Sequence, residues 1–203
     1  MRTVAIALLP LVLAAAAPPV AVIPVAPAFA PAADEYRRLW QSQGPAIVAS
    51  MERVTGLAFP ASRIDAIVSE GRPMTAYDGR TIRRRASYSP AYKKATLVHE
   101  LGHRLALALP RGSGLDDHRL LYLFLYDVWT DLYGRDFADR MAAIERRIGP
   151  AYESAWACAL AMTREERQAR LARLAALRAE VAGVPGESLS RFSRERVWLR
   201  QPS

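Results

Sequence analysis

Two histidines and a glutamate stand at a spacing that can hold and use a metal ion. Residues 99–103 read HELGH inside an apolar segment. Residues four apart on an α-helix lie on the same face one turn apart, so His99 and His103 can both reach one metal ion. Glu100 projects beside the first histidine, where its carboxylate can hold a metal-bound water. Two neutral imidazoles and a carboxylate base are the groups that metal-assisted hydrolysis requires.

This H-E-x-x-H pattern resembles that of the zincin metallopeptidases. The resemblance implies Zn²⁺ bound by His99 and His103, with Glu100 as the general base that hydrolyses a peptide or amide bond. It also implies a third protein ligand and a fourth position kept for water. The metzincin form is excluded, because it requires glycine and histidine where this chain has Ala106 and Leu109.

The segment at residues 118–134, HRLLYLFLYDVWTDLYG, contains the predicted third ligand. It is apolar nearly throughout, which predicts a buried helix, and Asp127 and Asp131 lie four apart on one face of it. Buried carboxylates are costly unless they are paired or bound to a metal. The two aspartates resemble the E-x-x-x-D element of gluzincins. That resemblance makes Asp127 the ligand and Asp131 the carboxylate that orients a zinc-bound histidine.

Other assignments of the third ligand stay open from the sequence. The segment DLYG at residues 131–134 is similar to the Asp ligand and Tyr-Gly pair of aspzincins, which would exchange the roles of Asp127 and Asp131. In a protein without metal, both aspartates would instead pair with arginines. Further candidate ligands are His118, Asp117 and Glu145, and candidate donors to the oxyanion of such a reaction are Tyr126, Tyr133 and Arg84.

The elements expected to position these residues begin with a small sheet. Residues 34–54 are predicted to form a helix with a break at residues 44–45, and residues 64–68 a short strand. Residues 74–77, an Asp-Gly turn and residues 80–88 predict a β-hairpin. In zincins a small sheet precedes the metal-binding helix, and its edge strand pairs with an extended substrate, so the resemblance gives the hairpin a role in substrate binding.

Beyond Gly134 the pattern predicts helices at about residues 137–148, 152–162 and 163–181. Thr163 and Glu166 have the T-x-x-E spacing of a capping box that opens the last of them. The predicted fold class is α+β and mostly helical, with a small N-terminal sheet or hairpin, a zincin-type active-site helix and a C-terminal helical bundle. The predicted domains are an export signal at 1–30, a single zincin-like domain at 31–182 and a tail at 183–203.

The first 30 residues have the composition of an export signal. Arg2 is the only charged residue before Asp34, an apolar run covers residues 4–17, and the sequence APA at residues 26–28 offers a cleavage site. Five prolines between residues 10 and 27 disfavour a membrane-spanning helix. We therefore expect an exported protein, periplasmic or extracellular, with its signal removed rather than kept as a membrane anchor.

The chain is basic, with 28 Lys and Arg against 20 Asp and Glu and a net charge of +8. Because an exported protein rarely meets nucleic acid, we expect no nucleic-acid partner and favour contact with an anionic cell surface or wall polymer. Cys158 is the only cysteine, which excludes an internal disulfide and a cysteine-based zinc site.

The predicted function is that of an exported zinc-dependent peptidase acting on a peptide or protein. One alternative is a protein that keeps zinc for structure alone. The other is a metal-free envelope protein that binds anionic surfaces through the arginine-rich segment 164–178. Glu100 favours the enzyme, because a structural zinc site has no use for a carboxylate at that position. The substrate and the oligomeric state stay open from the sequence.

Overall fold

Four short strands and six α-helices form the part of the chain that a computed structural model describes, residues 17–109 and 117–183, with side chains as far as residue 177. The prediction of a mostly helical α+β fold with its sheet on the N-terminal side is confirmed. The strands are β1 (Val20–Pro24), β2 (Ile64–Ser69), β3 (Met74–Thr75) and β4 (Thr81–Arg85). The helices are α1 (Ala30–Thr55), α2 (Pro90–Ala106), α3 (Asp117–Tyr133), α4 (Arg135–Arg146), α5 (Pro150–Leu160) and α6 (Arg164–Gly183).

The sheet has the order β1-β2-β4-β3, in which the first three strands are parallel and β3 runs antiparallel to β4. The predicted hairpin is confirmed, since Met74 pairs with Arg83 and Thr75 with Ile82. Its turn contains Gly79, whose φ of +66° is a conformation that favours glycine. The hairpin therefore makes β3 an edge strand of the sheet.

Strand β1 lies within the residues that the sequence analysis assigns to an export signal. It pairs along its whole length with β2, and the amide of Ile64 donates to the carbonyl of Pro19 at 2.9 Å. The Arg37 guanidinium on α1 donates to the carbonyl of Val22 at 2.9 Å. Cleavage after Ala28 would therefore remove a strand of the sheet.

None of the helices in the described ranges combines the length and the apolarity that a membrane span requires.

Helix α1 runs unbroken from Ala30 to Thr55, so the predicted break at residues 44–45 is wrong. Pro45 removes one hydrogen bond of the helix, at a cost of about 3 kcal/mol. The helix buries an apolar face that includes Ile47 and Met51, both fully inaccessible, and this burial outweighs the local cost. Residues on both sides of Pro45 therefore form one helix.

Helix α3 is the centre of the helical layer and packs against α1, α2, α4, α5 and α6. The prediction that residues 118–134 form a buried helix is confirmed. Its approach to α2 depends on Gly102, the fourth residue of HELGH. A Cβ atom at Gly102 would lie 2.4 Å from Leu121 Cδ1 and 3.3 Å from Phe124 Cε2. The missing side chain thus lets α3 lie close against the face of α2 that carries the motif.

A buried arginine fixes the hairpin on the other side of α2. The Arg104 side chain is 2% exposed and donates hydrogen bonds to the carbonyls of Gly79, Pro60 and Ser62. Backbone carbonyls are strong acceptors for a guanidinium, and these hydrogen bonds hold both loops against the helix.

The later helices follow the predicted order, and the capping box is confirmed. The Thr163 amide donates to Glu166 Oε2 at 2.7 Å, and the Glu166 amide to Thr163 Oγ1 at 3.2 Å. The predicted tail lies outside the described residues, apart from Gly183.

Candidate metal centre

Three histidines converge where α2 meets α3. One donor nitrogen from each of His99, His103 and His118 lies within 4.8 Å of the other two. The Nε2 atoms of His99 and His103 are 3.1 Å apart. Two nitrogens bound to one tetrahedral zinc ion at the usual bond length would be about 3.3 Å apart. The group is therefore close enough to hold a metal ion.

A buried carboxylate on α4 orients the first of these histidines. Glu145, 1% exposed, places Oε1 at 2.7 Å from Nδ1 of His99, and its Oε2 accepts from Trp156 Nε1 at 3.1 Å. Because a carboxylate accepts hydrogen bonds, the Nδ1–H of His99 points to Glu145, and Nε2 faces the other histidines. Burial acts to lower the pKa of His99, but the charge of Glu145 and its hydrogen bond prevail and raise it.

The second histidine is held in its neutral form. Burial, together with the positive charges that His99 and His118 would carry, lowers the pKa of His103 to about 2. A metal ion binds the neutral imidazole, since the lone pair must be free. His103 is therefore in the protonation state that metal binding requires.

The third histidine lies in the first turn of α3 and is packed among aromatic rings. Its ring centroid is 5.0 Å from that of His103 and 5.5 Å from that of His99. Tyr152 on α5 lies over it with centroids 4.2 Å apart, and Tyr122 lies 5.6 Å away. These neighbours hold the imidazole of His118 beside the two motif histidines.

Glu100 is buried at 4% exposure and faces the same cleft as the three histidines, a cavity of about 490 Å³. Its Oε2 accepts a hydrogen bond from the Thr75 hydroxyl at 2.7 Å, and that hydroxyl is also 2.8 Å from the Glu100 carbonyl. Thr75 belongs to the edge strand β3, so the sheet positions the carboxylate. The cleft thus brings together three imidazoles and the carboxylates of Glu100 and Asp117, with β3 along its rim.

The structure does not bring Asp127 into this group. Both of its oxygens accept hydrogen bonds from Arg167 on α6, at 2.6 and 3.0 Å, and its side chain is buried. The sequence pattern correctly placed the carboxylate on the inner face of α3, but an arginine 40 residues further along the chain neutralises it. His118, which the sequence left as an alternative, lies beside His99 and His103 instead.

Asp131 also pairs with arginines and does not contact any of the three histidines. Arg164 donates to its two oxygens at 2.8 and 2.9 Å, and Arg53 donates at 3.1 Å. These two guanidinium groups hold the pKa of the carboxyl below its usual range, Arg164 contributing more than Arg53. The orienting contact predicted for Asp131 is made instead by Glu145.

The three predicted oxyanion donors lie outside the residues that line the cleft. Tyr126 donates to Asp139 at 2.7 Å and Tyr133 to Gln43 at 2.9 Å, while Arg84 donates to Thr96. Tyr152 lines the cleft instead.

The sequence contains a signal for each of the two residues that its analysis did not favour, His118 as a ligand and Glu145 as the orienting carboxylate. His118 is the last of only three histidines in the chain, and the other two form the motif. Glu145 follows Met141 and Ala142 at helical spacing, on the buried face of α4. A carboxylate at such a position requires a buried partner.

Comparisons with models of known families, with curated proteins and with solved structures found no match to this chain.

Proposed function

We propose that this chain is an exported zinc-dependent hydrolase that cleaves a peptide or amide bond. The observation that carries the proposal is the convergence of His99, His103 and His118 with Glu100 in one cleft. Three imidazole ligands suit zinc and leave one position for water, which is the pattern of catalytic rather than structural zinc sites.

The donor set fits the ion in charge as well as in number. His103 is neutral, and His99 gives its Nδ1–H to Glu145, so Nε2 is the nitrogen of His99 left to bind a metal ion. When bound, zinc lowers the pKa of its water to about 7 and polarises a carbonyl. Glu145 acts through His99, because a carboxylate on the far nitrogen fixes the ring and raises its basicity as a ligand.

Glu100 is the proposed general base. It takes the proton from the attacking water and passes it to the leaving nitrogen of the scissile bond. Thr75 donates to Oε2 and fixes the carboxylate at the base of the cleft. Tyr152, which lines the cleft and packs on His118, is the proposed donor of a hydrogen bond to the oxyanion.

Strand β3 supports a peptide as the substrate. It is the edge strand of the sheet, and Met74 and Thr75 line the cleft. An edge strand offers unpaired backbone groups to an extended peptide, which would then cross the cleft beside Glu100. A peptide bond is thus the amide that this arrangement is best placed to receive.

The metal-free alternative predicted that Asp127 and Asp131 would pair with arginines, and these ion pairs are present. They remove one argument for the enzyme. The metal-free alternative does not explain the histidine cluster, the orienting Glu145 or the carboxylate of Glu100 in the cleft. For this reason we favour the hydrolase.

The test compares the wild type with Glu100→Gln. We expect one zinc per chain in both proteins, by mass spectrometry of the metal, because Glu100 is not a ligand and glutamine can still accept from Thr75. We expect the wild type to cleave members of a peptide library, and Glu100→Gln to do so at least about 10²-fold more slowly.

Two results would contradict the proposal. A wild type that binds no zinc after supplementation has no metal centre. A Glu100→Gln variant that cleaves peptides as fast as the wild type shows that the cleft does not perform the reaction.

A further inference from the structure

A second cavity, of about 280 Å³, adjoins the cleft. The two cavities share His99, Glu100, Arg72 and Tyr152 in their linings, so the second one opens beside the candidate metal centre. Basic and aromatic residues form much of the rest of its wall, and these are Arg85, Tyr88 and Tyr92.

Arg72 is the unneutralised charge between the two cavities. It is exposed in the segment between β2 and β3, and no carboxylate in residues 17–109 or 117–177 forms an ion pair with it. Arg85, by contrast, pairs with Glu70 at 3.2 Å and lies over the ring of Tyr88. The Arg72 guanidinium is therefore available to a charged ligand.

Two of the other carboxylates near this cavity are paired within the protein. Glu145 pairs with His99, and Glu70 pairs with Arg85 and also accepts from Ser87. Two more carboxylates, Glu100 and Asp117, line the cleft beside the proposed metal position. A bound divalent cation would offset these two negative charges, so the charge of Arg72 is left to attract an anion.

Tyr92 supplies a neutral hydrogen-bond donor to the same space. Burial raises the pKa of Tyr92, so its hydroxyl keeps its proton at neutral pH. The rings of Tyr88 and Tyr92 lie 4.5 Å apart and form one wall. A guanidinium with a phenol hydroxyl nearby is a combination that recognises a carboxylate.

We propose that the second cavity receives a carboxylate of the substrate and that Arg72 pairs with it, so that the enzyme prefers an acidic peptide. This inference rests on the proposed function. The carboxylate has two sources, an Asp or Glu side chain next to the scissile bond or the C-terminal carboxylate of the peptide. The chemistry of recognition is the same for both.

The test uses three peptides that carry a hydroxamate, a group that binds the metal, and differ only beyond it. One continues with glutamine and a terminal amide, the second with glutamate and a terminal amide, and the third with glutamine and a free terminal carboxylate. Binding to the zinc-loaded protein is measured by calorimetry. We expect one of the two carboxylate probes to bind about tenfold more tightly than the neutral probe.

Variants at residue 72 connect this preference to the arginine. Arg72→Ala removes the preference and Arg72→Glu reverses it, while the zinc content stays at the wild-type level. Arg83→Ala is the matched control, because Arg83 is an exposed arginine of the neighbouring strand β4 that lines neither cavity, and it keeps the preference. Whichever carboxylate probe binds more tightly identifies the source.

Failure of the inference differs from failure of the proposed function. If the zinc-loaded wild type binds all three probes equally, or if Arg72→Ala keeps the preference, the carboxylate pocket is overturned and the metal centre stands. If the protein holds neither zinc nor any hydroxamate, the proposed function is overturned and the pocket with it.

Discussion

The two halves of α3 both carry polar groups into the interior, and they meet different partners there. In the first turn, His118 joins two other imidazoles and faces a cleft. Further along, Asp127 meets the guanidinium of Arg167, and Asp131 meets those of Arg164 and Arg53. The carboxylate half is neutralised within the protein, whereas the histidine half brings three imidazole nitrogens within 4.8 Å of one another, close enough for one cation.

The difference teaches how a metal site is distinguished from an ion-pair network. A buried carboxylate indicates only that a positive charge lies nearby, and an arginine supplies that charge as well as a metal does. Imidazoles can share a hydrogen bond, as the 3.1 Å contact between the Nε2 atoms of His99 and His103 permits, but none of them carries a negative charge that an arginine would pair with. Several imidazole nitrogens that converge on one point are therefore the better guide to a metal.

Substitutions in the two halves of α3 should have opposite effects on zinc binding, and this is the largest effect that we expect. We expect His118→Ala to abolish tight zinc binding, since it removes one of three ligands, and Asp127→Asn to keep one zinc per chain. Zinc affinity measured by competition with a chelator checks both. If Asp127→Asn loses zinc while His118→Ala retains it, the assignment of the third ligand is reversed.

Breaking the ion pair should affect stability rather than metal binding. Arg167→Met leaves the buried Asp127 carboxylate unpaired, and we expect the free energy of unfolding to fall by about 3–5 kcal/mol. The measurement is denaturant unfolding in the presence of a chelator, so that bound metal does not contribute.

A double variant provides the control for this loss. Adding Asp127→Leu to Arg167→Met removes the buried charge, and we expect most of the stability to return. Equal loss in the single and double variants would show that packing, and not charge, accounts for the effect.

The orienting carboxylate should have an intermediate effect on the metal centre. Glu145→Gln weakens the hydrogen bond to His99 Nδ1, and we expect zinc affinity to fall about 10- to 100-fold. Glu153→Gln is the matched control, because Glu153 is an exposed glutamate on α5 that pairs only with Arg146 among the described residues. Equal affinities in the two variants would remove Glu145 from the metal centre.

The smallest expected effect is the pH dependence of the Asp131 pairs. Arg164 and Arg53 hold the folded-state pKa of Asp131 below the ordinary value of 3.8. The stabilisation is therefore present above pH 3.8 and is lost as the pH falls through the lower, folded-state value. We expect Asp131→Asn to cost up to about 1 kcal/mol at pH 6. The difference from wild type should shrink below pH 4 in unfolding measurements; a constant difference would exclude this titration.

Local patterns predicted much of the fold and part of the site. The apolar spacing around HELGH and the cap at Ser89 with Pro90 specify α2, and the helix in turn brings His99 and His103 together. The hairpin followed from its Asp-Gly turn. Each of these depends on residues close in sequence, where propensity and periodicity are informative.

The contacts that the sequence did not predict involve partners that are distant in sequence. Nothing near Asp127 indicates that Arg167 will reach it, because that contact depends on how α6 packs on α3. The segment VAVIP at residues 20–24 has the composition of an export signal and also of a strand, and only the register with β2 identifies it as β1. The sequence alone could not separate these two possibilities.

Gly102 has a consequence for the stability of the whole chain. Because it lets α2 and α3 approach, a metal ion at the three histidines would join two helices across the intervening residues 104–117, as a covalent cross-link would. Such a link limits the freedom of the unfolded chain, and the binding energy of the ion becomes folding energy. In a protein with a single cysteine, the ion would take the place of a disulfide.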